Sequence, residues 1–190
     1  MAILVTGVAG FIGFSTARAL LARGEAVVGI DNLNDYYDPR LKQARIETLT
    51  AEHGSAFMFE PVDFADQAAL AAFAARHSFD RIVHLGAQAG VRYSLDHPHA
   101  YARSNIVGHL NMLELARERQ PEHMVYASSS SVYGGNSQLP FRVEDRTERP
   151  LSLYAASKKA DELMSEAYAN LFRLPLTGLR FFTVDRKSVV

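Results

Sequence analysis

The chain has no cysteine and no tryptophan among its 190 residues. Without cysteine it has no disulfide framework and no thiolate zinc site, which is compatible with a reducing compartment, so the expected location is cytoplasmic. No run of about 18 or more apolar residues is present to span a membrane. The 20 Lys and Arg balance 21 Asp and Glu, and a net charge of −1 carries no basic excess that would point to nucleic acid. Histidines are scattered. His97-Pro98-His99 is the one close pair, and with no acidic or cysteine cluster beside it no metal is expected. The N-terminus reads directly as a strand and leaves no room for a signal peptide. What remains is an ordinary globular composition, 48% hydrophobic and 22% charged, long enough for one domain or one domain plus a fragment.

The most informative stretch comes first. Ala2-Ile3-Leu4-Val5 is a short apolar run that breaks into Thr6-Gly7-Val8-Ala9-Gly10-Phe11-Ile12-Gly13, and the pattern then turns helical from Phe14 to Leu21. A strand, a glycine-rich turn and a helix form a phosphate-binding turn. Gly7 permits the tight turn, Gly10 lets the backbone approach a pyrophosphate, and Gly13 lets the helix lie against the strand. The helix N-terminus offers free N–H groups to the anion. Three glycines alone are weak evidence, but Asp31 ends the next apolar run, Glu25 to Ile30, where an acid is needed to hold an adenosine ribose.

Strands and helices then alternate. Asn32 to Asp38 reads as a loop, and Asp38-Pro39 caps a helix from Arg40 to Glu52. Ala56 to Val62 is a third strand, ending at Asp63, and Asp66 starts a helix to His77. Arg81 to Leu85 is a fourth strand, followed by a loop from Gly86 to Ser94 and a long helix from His99 to Arg119. His123 to Ser128 is a fifth strand, Ser129 to Arg149 is loop, Leu151 to Leu171 is helix, and Leu176 to Phe182 is a sixth strand. Six strands alternating with helices imply parallel pairing and right-handed crossovers. The expected fold is α/β, a Rossmann-like doubly wound sheet with helices on both faces.

Ligands of such sheets bind beyond the carboxyl ends of the strands, so polar residues there matter most. Asp63 could bond an adenine amino group; its alternative is to cap the next helix, which Asp66 does better. The fifth strand ends in Ser128-Ser129-Ser130-Ser131, which could be only loop. Downstream, Tyr154 and Lys158 stand at i and i+4, on adjacent turns of one helix face. A nearby cation favours phenolate and lowers a tyrosine pKa from about 10, so that the phenol can act as a base. A serine hydroxyl from the strand end can bond the same substrate oxygen.

These motifs, in this order and spacing, resemble the extended short-chain dehydrogenase/reductase family, in particular its NAD-dependent nucleotide-sugar epimerases. A finer likeness, to UDP-glucuronate 4-epimerases, rests on Asp31 to Lys42, on Gln88 to Ser94 and on Leu179 to Val184. The resemblance covers residues 1–184. It implies NAD bound by Gly7, Gly10, Phe11, Ile12, Gly13, Asp31, Asn32, Asp63, Leu85, Ala87 and Lys158. Tyr154 is then the base, Lys158 its electrostatic partner, and Ser129 the third member, with Ser130 the nearest competitor. Gln88, Arg92, Asn105, Ser130 and Thr183 are implied around a UDP-sugar. Arg92 suits a substrate carboxylate because a guanidinium matches that shape, the alternative being a solvated loop charge. The implied reaction is transient oxidation at the sugar C4 to a 4-keto intermediate, which turns and is reduced on its other face. Gly86 stands where the subgroup usually has alanine, and Arg103 where it often has aspartate.

Past Val184 the family pattern would continue Tyr-Gly-Pro and then a substrate domain. Here Asp185 to Val190 follows instead. The expectation is an NAD-binding domain at 1–184, a non-native tail at 185–190, no C-terminal substrate domain, and a polypeptide that binds NAD but turns over poorly or not at all. The rival readings are a 4,6-dehydratase, which normally uses an Asp-Glu pair where this chain has Ser130 and Ser131, another UDP-hexose epimerase, a reductase that releases its cofactor each turn, and a non-catalytic NAD-binding fragment. The oligomeric state does not follow from the residues; the resemblance implies a homodimer through the helices near 99–119 and 151–171, whose outward faces should then be unusually apolar.

Overall fold

The computed structural model describes residues 2–184. Within it the first apolar run becomes β1 (Ala2–Thr6), at the middle of a six-stranded sheet. The other strands are β2 (Ala26–Ile30), β3 (Phe57–Glu60), β4 (Phe79–His84), β5 (His123–Ser129) and β6 (Leu176–Phe181). Their order is β3-β2-β1-β4-β5-β6, and every neighbouring pair is parallel. This is the Rossmann-like doubly wound sheet expected from the alternation. The reading of 185–190 as a foreign tail lies outside the described residues.

Both faces of β1 are covered, which is why its sequence is apolar without interruption. Ile3 and Val5 join one core with Ala17 and Leu21 of α1 (Phe11–Ala22) and Ile46 and Leu49 of α2 (Pro39–His53). Leu4, with its side chain on the opposite face, joins a second core. There it packs with Leu70 and Phe73 of α3 (Gln67–Arg76), and with Ile82, Met112 and Met124. Leu4 is fully buried, so truncating it to alanine costs about 2–5 kcal/mol.

Helix starts follow local chemistry. Asp38 accepts from Arg40 N at 2.9 Å with Pro39 in the first turn, and Asp66 accepts from Ala69 N at 3.0 Å, as their sequences predict. α1 instead begins at Phe11, three residues before the predicted Phe14. Its cap is Gly10, which has no side chain to announce a helix start. The stretch after β4 also differs. The predicted loop holds a short α4 (Tyr93–Asp96), and α5 (Pro98–Tyr101) widens into a π-helical turn, Ala102–Val107, before α6 (Gly108–Arg119). The predicted loop after β5 opens with a 3-10 turn, Ser130–Tyr133, and α7 (Leu153–Phe172) is capped by Ser152, which accepts from Ala155 N. Among the described residues no helix is long and apolar enough to cross a membrane.

Candidate active site

In this strand order the connections leave β1 in opposite directions toward β2 and β4, so a crevice opens at the carboxyl ends of β1 and β4. Thr6, the last residue of β1, is fully buried. Its hydroxyl lies 2.7 Å from His84 Nδ1 at the end of β4 and accepts from Gly86 N at 3.0 Å. That pair fixes where both loops begin. Gly7 follows with φ +68°, and its N–H bonds Ile30 O at 2.9 Å, tying the turn to β2.

A cleft lies above these ends. Gly7, Gly10, Asp31, Asn32, Leu85, Ala87 and Gln88 line it, together with Asn34, Tyr36, Tyr37, Lys42, Phe64, Gly86 and Ser104. Asp31 is buried, its carboxylate accepting from Ala9 N at 3.2 Å and Leu33 N at 2.9 Å, with Lys42 Nζ 3.9 Å away. Lys42 is buried too and donates to Asn34 at 2.8 Å. Burial lowers its pKa while Asp31 opposes the shift. At the far side Gln88 is 7% exposed, and its Nε2 has no hydrogen-bond partner among the described residues.

A second group gathers at the end of β5. Ser129 is its last residue, buried, and its hydroxyl accepts from Ser131 N at 3.1 Å. Lys158, on α7, donates to Ala127 O of β5 at 3.0 Å and to Asp161 at 3.0 Å. Tyr154 lies one turn earlier on the same helix, with its ring edge-on to Tyr101 at 6.0 Å. Tyr101 is fully buried and donates to the carbonyls of the Ala89–Gly90 loop. Its phenol is pushed up to about 12, chiefly by burial. Asn105 joins the two groups. It accepts from Gln88 N at 2.8 Å and donates to Gln88 O at 3.1 Å and Ser157 Oγ at 2.9 Å; Ser157 in turn donates to Tyr154 O at 2.8 Å.

Asn105 thus joins two groups of side chains at the switch point of a doubly wound sheet. Residues 4–187 fit the family model described as GDP-mannose 4,6 dehydratase. The chain belongs to this family. Among relatives, a probable UDP-glucuronate 4-epimerase of Rhizobium meliloti is 48% identical over 97% of this chain and 53% of its own length. UDP-glucuronate 4-epimerase 3 of Arabidopsis thaliana is 49% identical over 96% of this chain and 42% of its own. A UDP-glucuronic acid 4-epimerase from Bacillus cereus, crystallised with UDP-glucuronic acid and NAD, superposes with a TM-score of 0.85 at 35% identity. It matches over 97% of this chain and 57% of its own. The chain spans about half the length of the curated relatives it matches.

Other residues singled out in the sequence lie elsewhere. Phe11 and Ile12 occupy the first turn of α1, beside Phe181 and Val184 in a separate groove, while Gly13 is buried under the turn. Asp63 is outside the cleft lining; it accepts from Arg103 at 2.8 Å and from Ala65 N at 2.9 Å. Arg92 and Thr183 are exposed and Ser130 is half-buried. Asn105, implied as a sugar contact, has its amide committed to protein groups and is 1% exposed. Sequence reasoning missed Lys42 and Asp161. The signal was present in both cases: Lys42 shares the buried stripe of α2 with Ile46 and Leu49, and Asp161 shares that of α7 with Lys158 and Ser165.

Proposed function

We propose that this chain carries the NAD-holding site and the proton-transfer residues of a UDP-sugar 4-epimerase, with UDP-glucuronate as substrate and UDP-galacturonate as product. The observation that carries the reading is the Asn105 bridge, which fixes the dinucleotide cleft to the helix bearing Tyr154 and Lys158. The named relatives and the Bacillus cereus structure support the sugar and the cofactor.

The cleft fits a dinucleotide. A β-carbon on Gly10 would meet only the Gly7 carbonyl oxygen, at 3.0 Å, so glycine keeps the backbone bare where a pyrophosphate would rest on the free N–H groups of Phe11 and Ile12. Asp31 retains carboxylate lone pairs for ribose hydroxyls, and the unpartnered Gln88 Nε2 offers a donor. NAD, when bound, supplies a hydride acceptor that becomes the donor on return. Tyr154 takes the proton from the sugar 4-hydroxyl and gives it back. Lys158 stabilises the phenolate, and the Ser129 hydroxyl orients the reacting oxygen. A reaction without net oxidation requires the cofactor to stay bound between the two half-reactions, and this cleft is where it would be held.

Two measurements test this. Purified protein should bind NAD, and what UDP-glucuronate it turns over, slowly for a chain about half the length of its relatives, should become UDP-galacturonate with no net change in cofactor absorbance. Tyr154→Phe should lower turnover by about 10²–10⁴-fold while leaving NAD binding intact. Release of reduced cofactor at each turnover, or a 4-keto-6-deoxy product, would sink the reading. The second outcome belongs to the dehydratase chemistry after which the family is described, and Ser130 and Ser131 argue against it. A homodimer is part of the proposal: α6 and α7 expose Leu110, Leu163 and Leu171, and sedimentation at equilibrium tests it.

A further inference from the structure

Lys158 is not free to act as a lone cation. Its ammonium is held between the Ala127 carbonyl of β5 and the Asp161 carboxylate, each at 3.0 Å. Asp161 is itself a poor structural choice. Its side chain is 1% exposed, and among the described residues Lys158 is its single ion-pair partner and its Oδ1 is buried with no hydrogen bond. A carboxylate retained in so dry a place, with half its bonding capacity unused, adds little to stability. Its effect falls on the charge beside it.

We infer that Asp161 is a charge-balancing positioning residue: it fixes the Lys158 ammonium against β5 and cancels part of its field, and so governs how readily Tyr154 surrenders its proton. The inference rests on the roles proposed above for Tyr154 and Lys158. While Asp161 is ionised the pair is close to neutral. When Asp161 takes a proton, the charge of Lys158, one helical turn from Tyr154 on α7, is no longer compensated. The surroundings leave this balance to the pair. Burial pushes Asp161 up to about 6, with Lys158 opposing. From α6, His109 is held down to about 3 by burial and by Lys158, and from β4, His84 lies well below its ordinary value through burial, His109 and Lys158, so neither ring adds charge. Tyr126 of β5 is raised by burial and stays neutral. Glu162, the next residue on α7, is committed to Arg180 and Ser128.

The test reads Tyr154 directly and needs no sugar. Near-ultraviolet titration of the wild-type chain minus that of Tyr154→Phe isolates one phenol, and the same difference is taken in the Asp161→Asn background. Asparagine keeps an acceptor for Lys158 and removes the charge, so Tyr154 should titrate lower by about one pH unit, a tenfold rise in the phenolate ratio. An unmoved Tyr154 in a variant with unchanged circular dichroism overturns the inference. Should Asp161→Asn fail to fold, carbon-13 carboxyl shifts of the wild-type chain give the second reading. One buried aspartate should titrate near the raised value, and Lys158→Met should move it higher. A carboxyl in the ordinary range, or one indifferent to Lys158, overturns the inference. A chain that never epimerises UDP-glucuronate leaves this coupling standing, and an active epimerase with an unmoved phenol removes it alone.

Discussion

Gly13 lies so tightly beneath Gly7 that a β-carbon on Gly13 would sit 2.0 Å from the Gly7 carbonyl oxygen. The close approach is between the helix and its own entry turn, rather than between the helix and the strand as the spacing suggested. Backbone cannot yield as a flexible side chain can. Gly13→Ala should therefore cost more than about 3 kcal/mol and abolish NAD binding with it. Gly10→Ala meets that oxygen at 3.0 Å and nothing else, so it should melt within a few degrees of wild type while binding NAD at least about tenfold more weakly. Thermal melting beside a binding titration separates the two effects; equal melting losses would refute the distinction.

Asp31 holds the turn and its loop at once, through Ala9 N and Leu33 N. Asp31→Ala removes both acceptors and leaves Lys42 a buried cation without its carboxylate. The expected result is a stability loss of about 2–3 kcal/mol by urea denaturation and NAD affinity reduced about 100-fold by calorimetry. Unchanged affinity would show that the cleft binds its ligand without this acid.

Asn105→Ala strands Gln88 N and Gln88 O in a buried place and leaves Ser157 Oγ only its bond to Tyr154 O. A loss of about 2–4 kcal/mol is expected. Asn105→Asp keeps the acceptor but loses the donors, so it should also destabilise, and more as pH rises and the carboxylate ionises. Denaturation midpoints measured across pH check both variants.

His109 and His84 are buried and neutral, and burial is the leading cause of both low values. Unfolding frees each ring to take a proton at an ordinary pH near 6.5. Stability from these rings is fully present above that value and is lost as pH falls toward about 3. Asp161 runs the other way. Its raised value favours the folded protonated form, so its contribution improves as pH falls from about 6 toward 4. Two rings outweigh one carboxylate, and melting temperature should fall below pH 6.5. His109→Gln, which can still bond Ser165, should flatten that slope.

The sheet was legible because buried strands and amphipathic helices write their period into the chain. Parallel pairing followed from the alternation of strands and helices, whereas the order of the strands came from the structure. The start of α1 was missed because a glycine cap has no hydrogen-bonding side chain, and the π-helical turn at 102–107 because its widened backbone has no residue signature. At the site, Tyr154, Lys158 and Ser129 stood out through spacing. Asn105 was read as a sugar contact because its position was visible and its bonds were not. Lys42 and Asp161 were hidden among ordinary surface-type residues, since a charged side chain on a helix is assumed to face water until the burial of its neighbours says otherwise.

The order β3-β2-β1-β4-β5-β6 has a consequence for how the chain assembles. Of these six strands β1 is made first, and it lies inside the sheet with a neighbour on each side. β2 adds to one side of it and β3 to β2. β4 then takes the other side, followed by β5 and β6. Each strand meets a free edge when it appears, and none has to be inserted between partners already paired. The sheet can grow by accretion in the direction of synthesis, and the glycine turn after β1 has its floor in place before the helix carrying Tyr154 has been made.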